Sequence, residues 1–409
     1  MNFIKQFNSY SKDLRTLFCV RFLLALAHGL SYPFLVVYLT RRGLALDVIG
    51  FLFAGHIFVK ALGNLMGGPM ADGLGAAKAM FIAITWRIIF TVLLGGAIGL
   101  NIAPVLIMTI YYFHALIGEA FMPACDAFVA ERSEFHQRRD IFSFLRIGVN
   151  AGWAVGAALG GLLAPIVGYT ALFLTTATVT SGISWILKKT LAAQNVRAAT
   201  PSSIRLSLPV SIWVGSLRER AWVIYLGLLF LAFIGVDQIF SLMSVYLVRY
   251  RFATETTVGI LYSLNGFLVI FLQNWITAKA KKFLLTRAIA CGLLLYALGL
   301  LVLGFSNVMY LYMLSMTVIT LGEVVLMPAY SALAVNLASR RGGNARRATY
   351  IGMSQFVGVL GGFVSSIFGG YLLEYLGVAK PYLPWIIISG FTVTSAIGFF
   401  FFKGAQDDY

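Results

Sequence analysis

GEAFMPA at residues 118–124 returns at 322–329 as GEVVLMPA, one residue longer and half a chain away. Each copy sets a carboxylate, Glu119 or Glu323, inside a long apolar run. A charged side chain at the bilayer centre costs about 2.5–3.5 kcal/mol on insertion scales, so such residues are rare unless they have a use. A repeated one points to a duplicated membrane bundle with acids buried at equivalent places in both halves.

The apolar runs around these phrases fit that reading. Of 409 residues, 60% are hydrophobic and 11% charged, a balance foreign to soluble domains. A helical span needs roughly 20 apolar residues. Twelve runs qualify, at about 15–39, 48–70, 79–99, 104–130, 141–165, 169–189, 222–248, 256–278, 284–304, 309–338, 348–377 and 382–402, numbered here as spans 1 to 12. Their length and glycine content suit helices rather than barrel strands. The expected fold is an all-α membrane protein of two pseudo-symmetric six-helix bundles, with no room for a soluble domain.

The net charge of +16 does not point to nucleic acid. With the N-terminus inside, five Lys and Arg fall in outer loops (Arg41, Arg42, Arg249, Arg251, Lys380) and four inside spans (Arg21, Lys60, Arg87, Arg146). The other 22 of the 31 are cytoplasmic. This is the positive-inside bias, with both termini cytoplasmic and basic segments facing anionic lipid headgroups. The first apolar run is too long for a cleavable signal and lacks a small-residue cleavage site. Cys19, Cys125 and Cys291 have no ligand spacing and read as small hydrophobes. No metal or cofactor is expected.

The longest polar interruption, 190–220, divides the chain into a bundle at 1–189 and a bundle at 221–409. The repeat continues past the opening phrases: Arg138 and Arg139 match Arg346 and Arg347, and Gly160–Gly161 matches Gly369–Gly370. Matching order in both halves is the signature of a parallel repeat about an axis along the membrane normal.

Two motifs stand out. GGPMADGLGAAK at 67–78 follows span 2, with Gly68, Asp72, Gly75 and Lys78 spaced G-x-x-x-D-x-x-G-x-x-K. Glycine there allows a tight reversal, and Asp72 can attract a helix N-terminus. Span 5 carries Arg146, Gly148, Asn150, Gly152, Trp153, Gly156, Gly160 and Gly161. Its glycines recur every fourth residue and form a smooth stripe along which another helix can approach.

With the twelve-span plan, the first motif closely resembles the signature loop of the major facilitator superfamily. The second is similar to the antiporter motif of its drug/proton antiporter branch. Two positions depart from that branch: Ala157 stands where it usually has Pro, and His114 where it often has Arg. The resemblance implies that the loop latches the halves on the cytoplasmic side and that the span-5 packing seals the outer side. It also implies that spans 1, 4, 7 and 10 line a central cavity.

On that plan Glu323 is the first candidate for proton coupling, followed by Glu119 and Asp237, with His114 able to titrate where Arg could not. Burial disfavours the ionised carboxylate, so such a group can take a proton from one side and release it to the other. Asp126, two turns after Glu119, is expected to pair with Arg146, with Arg87 and Arg21 snorkelling or joining the network. His28, Tyr32 and Gln238 are candidate cavity residues, and His56, Lys60 and Asn64 mark one polar face of span 2.

The implied function is proton-coupled export of small amphipathic or lipophilic compounds by alternating access, by a monomer in a bacterial inner membrane. Its partners are the solute, protons and lipid. A proton-driven symporter for a peptide-like or siderophore-like solute is the alternative, and a non-transporting scaffold or sensor the reading from another class. No Walker loop, metal spacing or catalytic triad supports an enzyme or an ATP-driven pump.

Overall fold

A computed structural model describes residues 7, 10–131, 138–191, 218–280, 283–342 and 344–402. Its elements are all helices, with no strand among the described residues. Eleven helical segments are long and apolar enough to cross a membrane. One of them, Phe144–Lys189, has 46 residues, roughly 69 Å at 1.5 Å per residue and so twice a bilayer core. Gly168, at φ 75° and ψ 168°, divides it into spans 5 and 6. The linker expected at 190–220 lies largely outside the described residues.

Four other spans are single helices through their cores: Lys12–Arg41, Leu46–Leu74, Ala76–Gly99 and Glu255–Ala280 are spans 1, 2, 3 and 8. So are Leu285–Phe305, Met309–Gly342, Asn344–Tyr375 and Leu383–Phe401, spans 9 to 12. Span 4 is broken into Pro104–Gly118 and Phe121–Glu131. Span 7 is broken into Arg220–Val236, Gln238–Ser241 and Met243–Tyr250. Pro123 has no N–H to return to the carbonyl of Glu119 four residues earlier, which accounts for the first break.

In lipid, a carbonyl released by a proline or a break needs another donor, and neighbouring helices supply it. Pro165 releases the carbonyl of Gly161, which accepts from Thr256 Oγ1 at 3.0 Å. Pro328 releases that of Val324, which accepts from Gln273 Nε2 at 3.2 Å. At the span 7 break, Val236 accepts from the Tyr296 hydroxyl at 2.7 Å. Gln273→Leu removes the donor to Val324 and should cost about 1–3 kcal/mol for a buried carbonyl left unmet, read as a lower thermal midpoint of the purified protein.

The described residues form two compact units. The first comprises Met1–Arg42, Val59–Leu206 and Thr254–Gly266; the second Gly43–Phe58, Ser207–Ala253 and Phe267–Tyr409. In the first, spans 1 and 5 run side by side. A Cβ on Gly148 would meet Phe18, one on Gly152 or Gly156 the Leu26 backbone, and one on Gly160 the Leu30 backbone. Every fourth residue of one helix thus meets every fourth of the other.

The glycine stripe therefore serves span 1. The face of span 5 toward span 8 is a different one: Asn150, Ala154, Ala157 and Gly161 lie against Gly259, Ser263 and Gly266. Gly161 and Gly259 sit so close that a Cβ on either would be within 2.9 Å of the other's Cα. In the second unit Gly370, the repeat partner of Gly161, meets Gly50 in the same way, at 3.1 Å. The duplication read from the phrases thus extends to matching helix contacts. Gly259→Val and Gly50→Val should each destabilise by overpacking, about 1–3 kcal/mol, whereas the same change at Gly68, with open space around it, should not. Thermal midpoints of the three variants check this.

Candidate functional site

The break in span 4 places Glu119 at the end of its first helix, 7% exposed. Arg87 of span 3, 5% exposed, answers it. Its Nη2 donates to Glu119 Oε1 at 2.6 Å, and Nε and Nη2 donate to the Gly118 carbonyl at 3.2 and 3.1 Å. One guanidinium thus neutralises the acid and meets a carbonyl at the helix break. A Cβ on Gly118 would press on the Arg87 side chain, so the glycine admits it.

A ring cluster lies beside this pair. Tyr32 of span 1 and His114 of span 4 share a hydrogen bond of 2.5 Å between the hydroxyl and Nε2. His28, one turn from Tyr32, stacks on its ring with centroids 4.1 Å apart, and Trp153 lies 5.6 Å from His28. Tyr111 stacks on Tyr32 at 5.4 Å, and Tyr262 meets Trp153 edge-on at 6.1 Å.

Span 2 closes the cluster. A Cβ on Gly63 would meet the carbonyls of Ala115 and Leu116 and Glu119 Cβ; one on Gly67 would meet Ala120 and Pro123. The two helices advance in step, so Lys60, one turn before Gly63, stands level with Tyr111–His114. Lys60, His28 and His114 all bear electrostatically on Glu119, as does Arg87.

In the second unit Asp237 stands at the break in span 7. A Cβ on Gly362 of span 11 would lie 3.1 Å from its carboxyl carbon. Gln238 is fully buried and donates to the Ser365 carbonyl at 2.9 Å. Glu323 is partly exposed in span 10. Tyr330, two turns further along span 10, packs its ring 6.0 Å from Phe233 of span 7.

In the charge network Asp126 pairs with Arg21 of span 1, whose Nη2 donates to Oδ1, so Arg21 joins the network instead of snorkelling; Arg146, the partner first expected, is exposed on its helix. The Arg21 Nε also donates to Cys125 Sγ at 3.3 Å, so Cys125 is more than a small hydrophobe. A forked side chain reaches two consecutive residues that do not face each other. The loop motif is mostly helix: Gly68 and Asp72 lie within span 2, which runs to Leu74, and only Gly75, at φ 86°, makes the turn. Lys78 is exposed just beyond it.

Arg87 is the residue whose part the sequence understated. The sequence marks Lys60 on a polar face of span 2 without giving it a part. The signal was present, since Glu119 and Arg87 are both charges within spans, but nothing in two apolar helices says which faces meet.

The fold is similar to that of solved transporters. A POT family transporter in complex with 5-aminolevulinic acid has a TM-score of 0.76 at 15% identity, covering 95% of both chains. The nucleoside transporter NupG has a TM-score of 0.77 at 14% identity, covering 95% of this chain and 99% of its own. Among curated relatives, the uncharacterized MFS-type transporter YqjV of Bacillus subtilis is 24% identical over 90% of this chain and 88% of its own. The multidrug resistance protein MdtH of Salmonella newport is 25% identical over 93% of this chain and 92% of its own. The Major Facilitator Superfamily model matches residues 17–363. The chain thus belongs to the Major Facilitator Superfamily, a family of multi-pass membrane transporters rather than of enzymes.

Proposed function

We propose that the protein is a proton-coupled secondary transporter that exports small amphipathic or lipophilic compounds by alternating access. The observation that carries this is the contrast between the acids within the spans. Glu119 is buried against Arg87, whereas Glu323 and Asp237 are partly exposed, Asp237 at the break in span 7. In transporters, discontinuous helices near mid-span form solute and coupling-ion sites. Glu323 and Asp237 carry the proton. The cluster of His28, Tyr32, His114 and Glu119 belongs to the solute site, and Gln238 holds the span 7 break in place.

Protonation changes which conformation is the more stable, and the membrane potential supplies about 2.3 kcal/mol per charge per 100 mV. Similarity to MdtH, named a multidrug resistance protein, supports export of varied compounds. The motif at 67–78 acts as the latch, and the Asn150–Gly161 face of span 5 as the seal. The protein works as a monomer in a bacterial inner membrane with both termini cytoplasmic.

Direction separates export from the symport reading. A fluorescent amphipath should accumulate in energised inverted vesicles and be depleted from energised right-side-out ones. The opposite pattern would make the protein an importer.

A further inference from the structure

Two cationic side chains, Arg87 and Lys60, share one carboxylate, Glu119, inside the first unit. Arg87 is matched by Glu119 at 2.6 Å. Lys60, near the middle of span 2, makes no ion pair at contact distance among the described residues, yet it bears on that same carboxylate. His28 and His114 bear on it too, and when protonated they add charge of the same sign. An ammonium in mid-span is costly unless a partner arrives.

Lys60 and His28 are partly exposed, while the groups behind them, Tyr32, Arg87 and His114, are buried. Beside them runs the partly exposed ring of Trp153, 5.6 Å from His28 and backed edge-on by the buried Tyr262. A cationic edge next to an aromatic shelf suits a molecule that is acidic at one end and apolar at the other.

We infer that Lys60, with His28, receives a carboxylate of the transported compound, whose apolar body lies along Trp153; the cargo is an amphipathic organic acid. The inference rests on the proposed transport function but concerns recognition at one end of the cargo. A cationic amphipath would meet Lys60 with like charge, and a neutral one would leave it unmatched.

Equilibrium binding to the purified full-length protein tests the inference apart from transport. The probes are a radiolabelled aryl-alkyl carboxylate, its primary amide and the amine of equal length. The acid should bind about tenfold or more tighter than the amide, the scale of a charge-assisted hydrogen bond, and the amine weakest. Lys60→Gln should bring acid and amide within about twofold without changing the amide, while Lys60→Arg should retain the preference.

An acid that binds no tighter than the amide, or a preference that survives in Lys60→Gln, overturns the inference. Should Lys60→Gln fail to fold, Lys60→Ala is read in its place, with the same loss of acid preference expected. Preferential binding of the acid with no pH-driven flux would sink the transport proposal and leave recognition standing. Flux indifferent to the acid group would do the reverse.

Discussion

Arg87→Met is expected to lower the stability of the protein by about 3–5 kcal/mol, because removing one partner of a buried ion pair leaves the other charge uncompensated. Here the loss is compounded. The same guanidinium meets the Gly118 carbonyl at the break in span 4, so methionine leaves a buried carboxylate and a buried carbonyl unmet at once. Glu119→Gln should cost less, since its amide oxygen can still accept from Arg87. The double variant Arg87→Met/Glu119→Gln should recover part of the loss, because neither member of the pair is left charged. Thermal midpoints in detergent for the two single variants and the double one give the coupling between the positions. Additive losses would mean that the pair does not act as a unit.

Glu323→Gln is expected to reduce pH-gradient-driven flux to background while leaving exchange between equal solute pools intact. Glutamine resembles the protonated acid in shape but cannot release a proton, so the gradient loses its hold on the conformational equilibrium. Asp237→Asn should give a partial loss of the same kind. A scaffold or sensor that kept the fold would tolerate Glu323→Gln, so normal expression without loss of flux would favour that reading. Loss of exchange as well would assign Glu323 to solute binding rather than to coupling.

Much of the architecture was legible in the chain because its signals are local. Run length gives the spans, and the repeated phrase gives the duplication. The glycine period also announced a close helix contact, and the structure adds which helix: the stripe of Gly148, Gly152, Gly156 and Gly160 serves span 1, while Ala154, Ala157 and Gly161 meet span 8. In a helix apolar on every face, periodicity does not mark which face turns which way. The same limit hid the pairings of Glu119 with Arg87 and Asp126 with Arg21. Nor could the partners of the proline-released carbonyls be read, because Thr256 and Gln273 stand far along the chain from Gly161 and Val324. The insertion that makes GEVVLMPA one residue longer has a structural counterpart: Pro123 follows a break at Glu119, while Pro328 lies inside an unbroken helix.

Proton movement driven by solute alone tests the central claim most directly. In proteoliposomes holding a pH-sensitive dye, with equal pH on both sides, an amphipathic solute added outside should make the lumen more alkaline, as solute enters in exchange for protons. The Glu323→Gln protein should show no such change. Solute entry with a lumen that acidifies would establish symport, and entry with no pH change would contradict proton coupling altogether.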